Sequence, residues 1–103
     1  MAMSGRVNRP RIAYVESFVF RIGDAFDTPE GFDGETTLAG VRIGNGNLAI
    51  GDAVLVPVRA GGRVRAVCAG FPLMSFSNRE WRALSITGLT AAEVLVGGLA
   101  ERV

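Results

Sequence analysis

The sequence predicts a small all-β domain, an antiparallel β-barrel, and three observations carry that expectation. Short apolar runs recur from Ile12 to the end of the chain, each closed by turn-forming residues. Fourteen glycines are spread among 103 residues, and tight turns and bulges use glycine for their positive-φ positions. These glycine-punctuated runs outnumber any helical periodicity. About six or seven strands in a chain of this size match a small closed barrel, and closure removes exposed strand edges.

The elements follow in order. Met1–Pro10 is polar and basic, and reads as a disordered leader rather than a secretory signal. Residues 11–103 form the single barrel domain. Arg11–Gly23 is the first strand, with Phe18, Phe20 and Ile22 on one face. Asp24–Glu35, rich in Asp, Gly and Pro, is a loop. Thr36–Ile43 is the second strand, ended by the Gly44-Asn45-Gly46-Asn47 turn. Leu48–Ile50 is a short strand whose Leu48 and Ile50 plug the interior. Gly51-Asp52 turns the chain into the strand Ala53–Arg59, and Ala60-Gly61-Gly62 leads into Arg63–Phe71. An irregular stretch through Asn78 precedes the strand Trp81–Thr87. Gly88–Ala92 then turns into a last segment, Glu93–Val103. Thr90–Val96 fits a short helix capped by Thr90, and Val94–Val96 fits a strand equally well.

Composition excludes most catalytic chemistries. The chain has no His, Lys or Gln, so its eleven basic residues are all Arg. Without His there is no Ser-His-Asp or Cys-His pair and no imidazole metal ligand. Without Lys there is no Schiff base and no phosphate-binding lysine of the Gly-x-x-x-x-Gly-Lys type. Cys68 is the sole cysteine, forms no internal disulfide, and falls in phase with Val64 and Ala66, hence inward. No apolar run approaches the ~20 residues of a membrane-spanning helix. A cytoplasmic protein that is not an enzyme and carries no cofactor is the expectation.

The punctuation resembles the second, β-barrel domain of translational GTPases of the elongation factor Tu and initiation factor 2 type. Phe20, Ile22, Asp24 and Phe26 match that family's first strand end. Gly40, then Gly46, Leu48, Ile50, Gly51, Asp52 and Val54 match its Gly-x-Leu-x-Ile-Gly-Asp turn. Leu84, Ile86, Gly88 and Leu89, with Gly97-Gly98-Leu99-Ala100, look like its closing strands. The resemblance spans residues 18–100 and implies the barrel fold. It does not imply GTP binding, since the nucleotide-binding loop and its lysine are missing. In elongation factor Tu this domain helps hold the aminoacyl end of tRNA. Here Gly23 and Ala69 stand where acids are expected, and Asp33 lies near an expected Arg. An apolar pocket floor of Phe26 and Phe71 is what the resemblance leaves.

Formal charge is +1, distributed unevenly. Asp24, Asp27, Glu30, Asp33 and Glu35 form an acidic stretch, read as a solvated loop because its spacing departs from calcium-binding loops. Arg59, Arg63 and Arg65 flank the Ala60-Gly61-Gly62 hairpin as a basic patch able to meet phosphates, but no aromatic is interleaved to stack bases. Consecutive apolar residues at Phe18–Phe20 and Val54–Val56 place hydrophobic side chains on both strand faces. With Trp81 they suggest a partner surface of Phe18, Phe20, Leu55 and Trp81. The expected function is a non-catalytic binding or assembly module that pairs with itself as a homodimer or with another protein. The alternatives are an RNA- or ribosome-associated protein using the arginine hairpin, and a small-ligand barrel using Phe26, Phe71 and Trp81.

Overall fold

The computed structural model of the chain describes residues 17–27 and 34–103. Six strands organise them: β1 (Val19–Asp27), β2 (Glu35–Ile43), β3 (Ala53–Pro57), β4 (Arg63–Gly70), β5 (Trp81–Thr87) and β6 (Leu99–Arg102). They hydrogen-bond in the order β1-β2-β5-β4-β3-β6, every neighbouring pair antiparallel. The sheet closes into a ring because the short β6 pairs on both sides, Phe20 facing Ala100 and Leu55 facing Glu101. A closed sheet leaves no unpaired edge.

Period-two alternation sets the interior. Phe20, Ile22, Leu38, Val56, Leu84 and Ile86 point inward and are buried. Each such side chain contributes about 1.5–3 kcal/mol by leaving water. Cys68 lies inward beside Ala66, as its phase predicts. One end of the ring is tied by side chains. Thr36 Oγ1 donates to the Leu89 carbonyl at 2.6 Å, and Ser85 Oγ donates to Glu35 at 2.7 Å. Asp27 accepts the Ala91 amide at 3.0 Å, which anchors the 3-10 turn Ala91–Glu93 to β1.

Two glycines allow close approaches that no side chain would permit. The register of β1 against β2 slips between Ile22 and Asp24, a bulge that bends β1 across its neighbour. A Cβ on Gly40 would collide with the Arg21 carbonyl at that bend. A Cβ on Gly46 would collide with the backbone of Ser17 and Phe18.

Several boundaries differ from the sequence expectation. Asp24–Asp27 belongs to β1 rather than to a loop, because the bulge absorbs the change of phase and lets pairing continue to Asp27↔Thr36. Glu35 opens β2. Leu48–Ile50 is not a strand; Leu48 packs against the core, but Ile50 is 68% exposed. Three residues between two turns are too few to pair, and Ile50 instead enters the bend closed by the Asp52 amide on the Ala49 carbonyl at 3.0 Å. Asp52 also accepts the Ala49 amide through its carboxylate at 2.9 Å, as its place after Gly51 suggests. Val58 makes only an isolated bridge to Val94, and Thr90 precedes a three-residue 3-10 turn rather than a longer helix. The leader Met1–Pro10, the strand stretch 11–16, and Glu30 and Asp33 lie outside the described residues.

Gly51 has φ +97°, a conformation that β-branched side chains rarely adopt. Gly51→Val is expected to lower stability by about 1 kcal/mol or more. A urea midpoint equal to that of the parent would contradict this turn.

Candidate functional site

Four chain segments converge at the end of the ring where β1 and β5 begin and β2 and β4 finish. Between them lies a cleft of about 640 Å³, within the size range of small-molecule sites. Phe18, Phe20, Ala83 and Leu84 form its floor, all buried, with the two phenyl rings 6.3 Å apart and nearly parallel. The chain leaving β4 supplies an apolar wall of Phe71, Pro72 and Leu73. Leu73 is fully solvent-exposed and Phe71 is 48% exposed, so this wall stands in water.

The rim is charged. Arg42 lies over the Phe18 ring, its guanidinium carbon 5.7 Å from the centroid. It donates to the Gly46 carbonyl and, at 3.4 Å, to Asn47 Oδ1. Arg82 donates to the carbonyls of Arg79 at 2.7 Å and Trp81 at 2.9 Å. Glu80 completes the rim. Among the described residues no carboxylate lies within 4.0 Å of either guanidinium; the ion pairs there are Arg63–Glu101 and Arg102–Asp52.

The sequence-predicted residues divide among several places. Phe71 does line a pocket, but Phe26 does not share it. Phe26 stands opposite Thr37, near the end of β1 that lies away from the cleft. Phe18 and Phe20 are buried at 4% and 2% exposure and cannot serve an outer partner surface. Their phase points both into the ring, and Val19 alone takes the outer face between them. Trp81 is not an exposed anchor either. It is half-buried, lies where a Cβ on Gly23 would sit, and packs on Phe76 at 5.7 Å. Leu55 is half-buried, between Arg65 and Glu101 in register.

The arginine hairpin is partly neutralised. Arg63 pairs with Glu101 at 2.9 Å, and Arg59 Nε donates to the Val94 carbonyl at 3.3 Å. Arg65 is exposed on the same strand. The described members of the acidic stretch bond within the fold: Glu35 and Asp27 as given above, and Asp24 by the Ala25 amide at 2.8 Å. Among the described residues no cluster of three metal-ligating side chains occurs.

Arg42 and Arg82 are the site residues that sequence reasoning missed, and a signal was present. Arg82 shares the phase of Leu84 and Ile86, and Arg42 that of Leu38. An arginine in core phase at a strand end belongs at the mouth of a ring.

Cys68 is buried under the sheet, and its thiol is held above its ordinary value of 9.0. Desolvation is the main cause and the Asp52 charge adds to it, against the Gly70 backbone hydrogen bond. The folded state thus keeps this proton longer than the unfolded chain. Its contribution to stability is complete below pH 9.0 and is lost as pH rises through the folded value. Stability is expected to fall more steeply above that pH in the parent than in a Cys68→Ala variant. Equal alkaline slopes in paired denaturation curves would contradict it.

Among the described residues no helix is long and apolar enough to cross a membrane. Compared with protein-family models, curated proteins and solved structures, the chain matches none.

Proposed function

We propose that the chain is a non-catalytic binding module, a β-barrel of the translation-factor second-domain kind, whose site is the cleft at the β1–β5 end. The observation that carries this is the pairing of a buried aromatic floor, Phe18 and Phe20, with an exposed apolar wall at Phe71 and Leu73. A fully exposed leucine beside an open apolar cleft adds water contact that only an occupant removes. The absence of His and Lys from the sequence leaves the cleft without an imidazole base or an amine nucleophile, which favours binding over catalysis. The antiparallel ring and the Gly51-Asp52 turn support the likeness to a translation-factor domain.

Titration with neutral anilinonaphthalene, an apolar dye that fluoresces when shielded from water, tests the reading. Saturable emission is expected from the parent chain, with about tenfold weaker binding by Leu73→Asp, which sets a charge on the wall. No saturable signal, or equal affinity in Leu73→Asp, would reject the cleft as a binding site.

A further inference from the structure

Arg42 and Arg82 occupy a particular relation in the sheet. Arg82 faces Gly40 across the β2–β5 pair, and Arg42 is two residues beyond Gly40 on the same face of β2. They are therefore diagonal neighbours, a spacing of about 7–8 Å that long side chains span easily. Both project in the phase of the ring interior and both line the cleft. Like charges brought together on one face repel, and an anion between them relieves that repulsion.

Each guanidinium is held from one side by backbone carbonyls: Arg42 by Gly46, Arg82 by Arg79 and Trp81. A guanidinium carries five N–H donors, so both retain donors for another acceptor. Neither has a carboxylate partner among the described residues. Glu80 is one acid against two bases on the rim, so the cleft mouth is net positive.

We propose that the occupant is a small amphipathic organic anion: an aromatic or aliphatic body seated on Phe18, Phe20 and Leu84, with a carboxylate or similar acid group between Arg42 and Arg82. This rests on the cleft being the binding site proposed above. A cavity of about 640 Å³ suits a small molecule, and planar guanidinium donors match the geometry of an acid group.

Two probes with the same apolar body separate the claims: neutral anilinonaphthalene and its sulfonate, titrated by fluorescence into the same protein. The sulfonate is expected to bind about three- to fivefold more tightly than the neutral dye, the effect of one exposed charge pair. Arg82→Gln should remove most of that preference, read as the ratio of the two dyes' affinities within the same variant. Arg65→Gln, on the distant hairpin, should alter neither. Arg42→Gln should act like Arg82→Gln, but Arg42 also lies over the Phe18 ring of the cleft floor, so Arg82 carries the test. Equal binding of the two dyes would overturn the anion proposal and leave the apolar cleft standing. A sulfonate preference that survives in Arg82→Gln, or falls equally in Arg65→Gln, would also overturn it. Failure of both dyes to bind would reject the cleft itself.

Discussion

Gly40→Ala is expected to destabilise the chain by about 3 kcal/mol or more, at the severe end for a single methyl group. The added carbon would overlap the Arg21 carbonyl oxygen and press on the Gly23 amide, both backbone atoms that cannot rotate away. Relief would require β1 to lift from β2 at the bulge, where the strand must bend for the ring to close. A domain of this size has about 5–15 kcal/mol in total, so much of its stability would be lost. Gly70→Ala is the matched control. Nothing lies within 4 Å of its Cβ position, and its φ is outside the left-handed region. Its effect should stay within about 0.5 kcal/mol. Urea denaturation of both variants checks the contrast, and equal midpoints would show that β1 does not cross β2 this closely.

Ile86→Ala should cost about 2–5 kcal/mol, and Ile86→Val about 0.5–1.5 kcal/mol. Ile86 is fully buried on β5, opposite Thr36 on one side and Cys68 on the other. Strands on both flanks fix its surroundings, so the vacated space cannot collapse readily. The urea midpoint should drop in that order with an unchanged slope, since the same surface is exposed on unfolding. An alanine variant as stable as the parent would mean that this position does not face the interior.

The sequence was most informative where one face meets the interior and turn residues mark both ends. Trp81–Thr87 is bounded as expected, because Leu84 and Ile86 alternate cleanly and Gly88 stops the run. The hairpin at Ala60-Gly61-Gly62 is likewise explicit, with φ of +105° and +76° at its two glycines. What stayed hidden was the bulge at Gly23. A one-residue slip reverses the phase of everything after it, so Asp24–Asp27 resembled a polar loop while pairing with Ala39–Thr36. The same slip puts Phe26 out of phase with Phe20 and Ile22, and its place near the far end of β1 keeps it from the cleft that Phe71 enters.

The apolar run at Phe18–Phe20 suggested a two-sided surface because period-two counting assigns Val19 to solvent. In the fold both phenyl rings are inside and only the smaller valine is outward. Trp81 misled for a different reason. Its outward position is covered on one side by Phe76, from the irregular chain just before it, and on the other by the bare Cα of Gly23, far away in sequence. Such cover depends on how the irregular chain after β4 returns, and no local pattern encodes it. The charged half of the site was visible only as an anomaly: Arg42 and Arg82 occur in core phase, and closure of the ring turns that anomaly into a rim.

The most direct test of the cleft as the binding site is amide proton–nitrogen correlation spectroscopy during titration with neutral anilinonaphthalene. The largest shifts are expected at the amides of Phe20, Val41, Leu73 and Leu84, which come from four separate segments and meet only at this end of the ring. Shifts centred instead on Arg63 and Arg65, or on Phe26 and Thr37 at the opposite end, would contradict the assignment of the site.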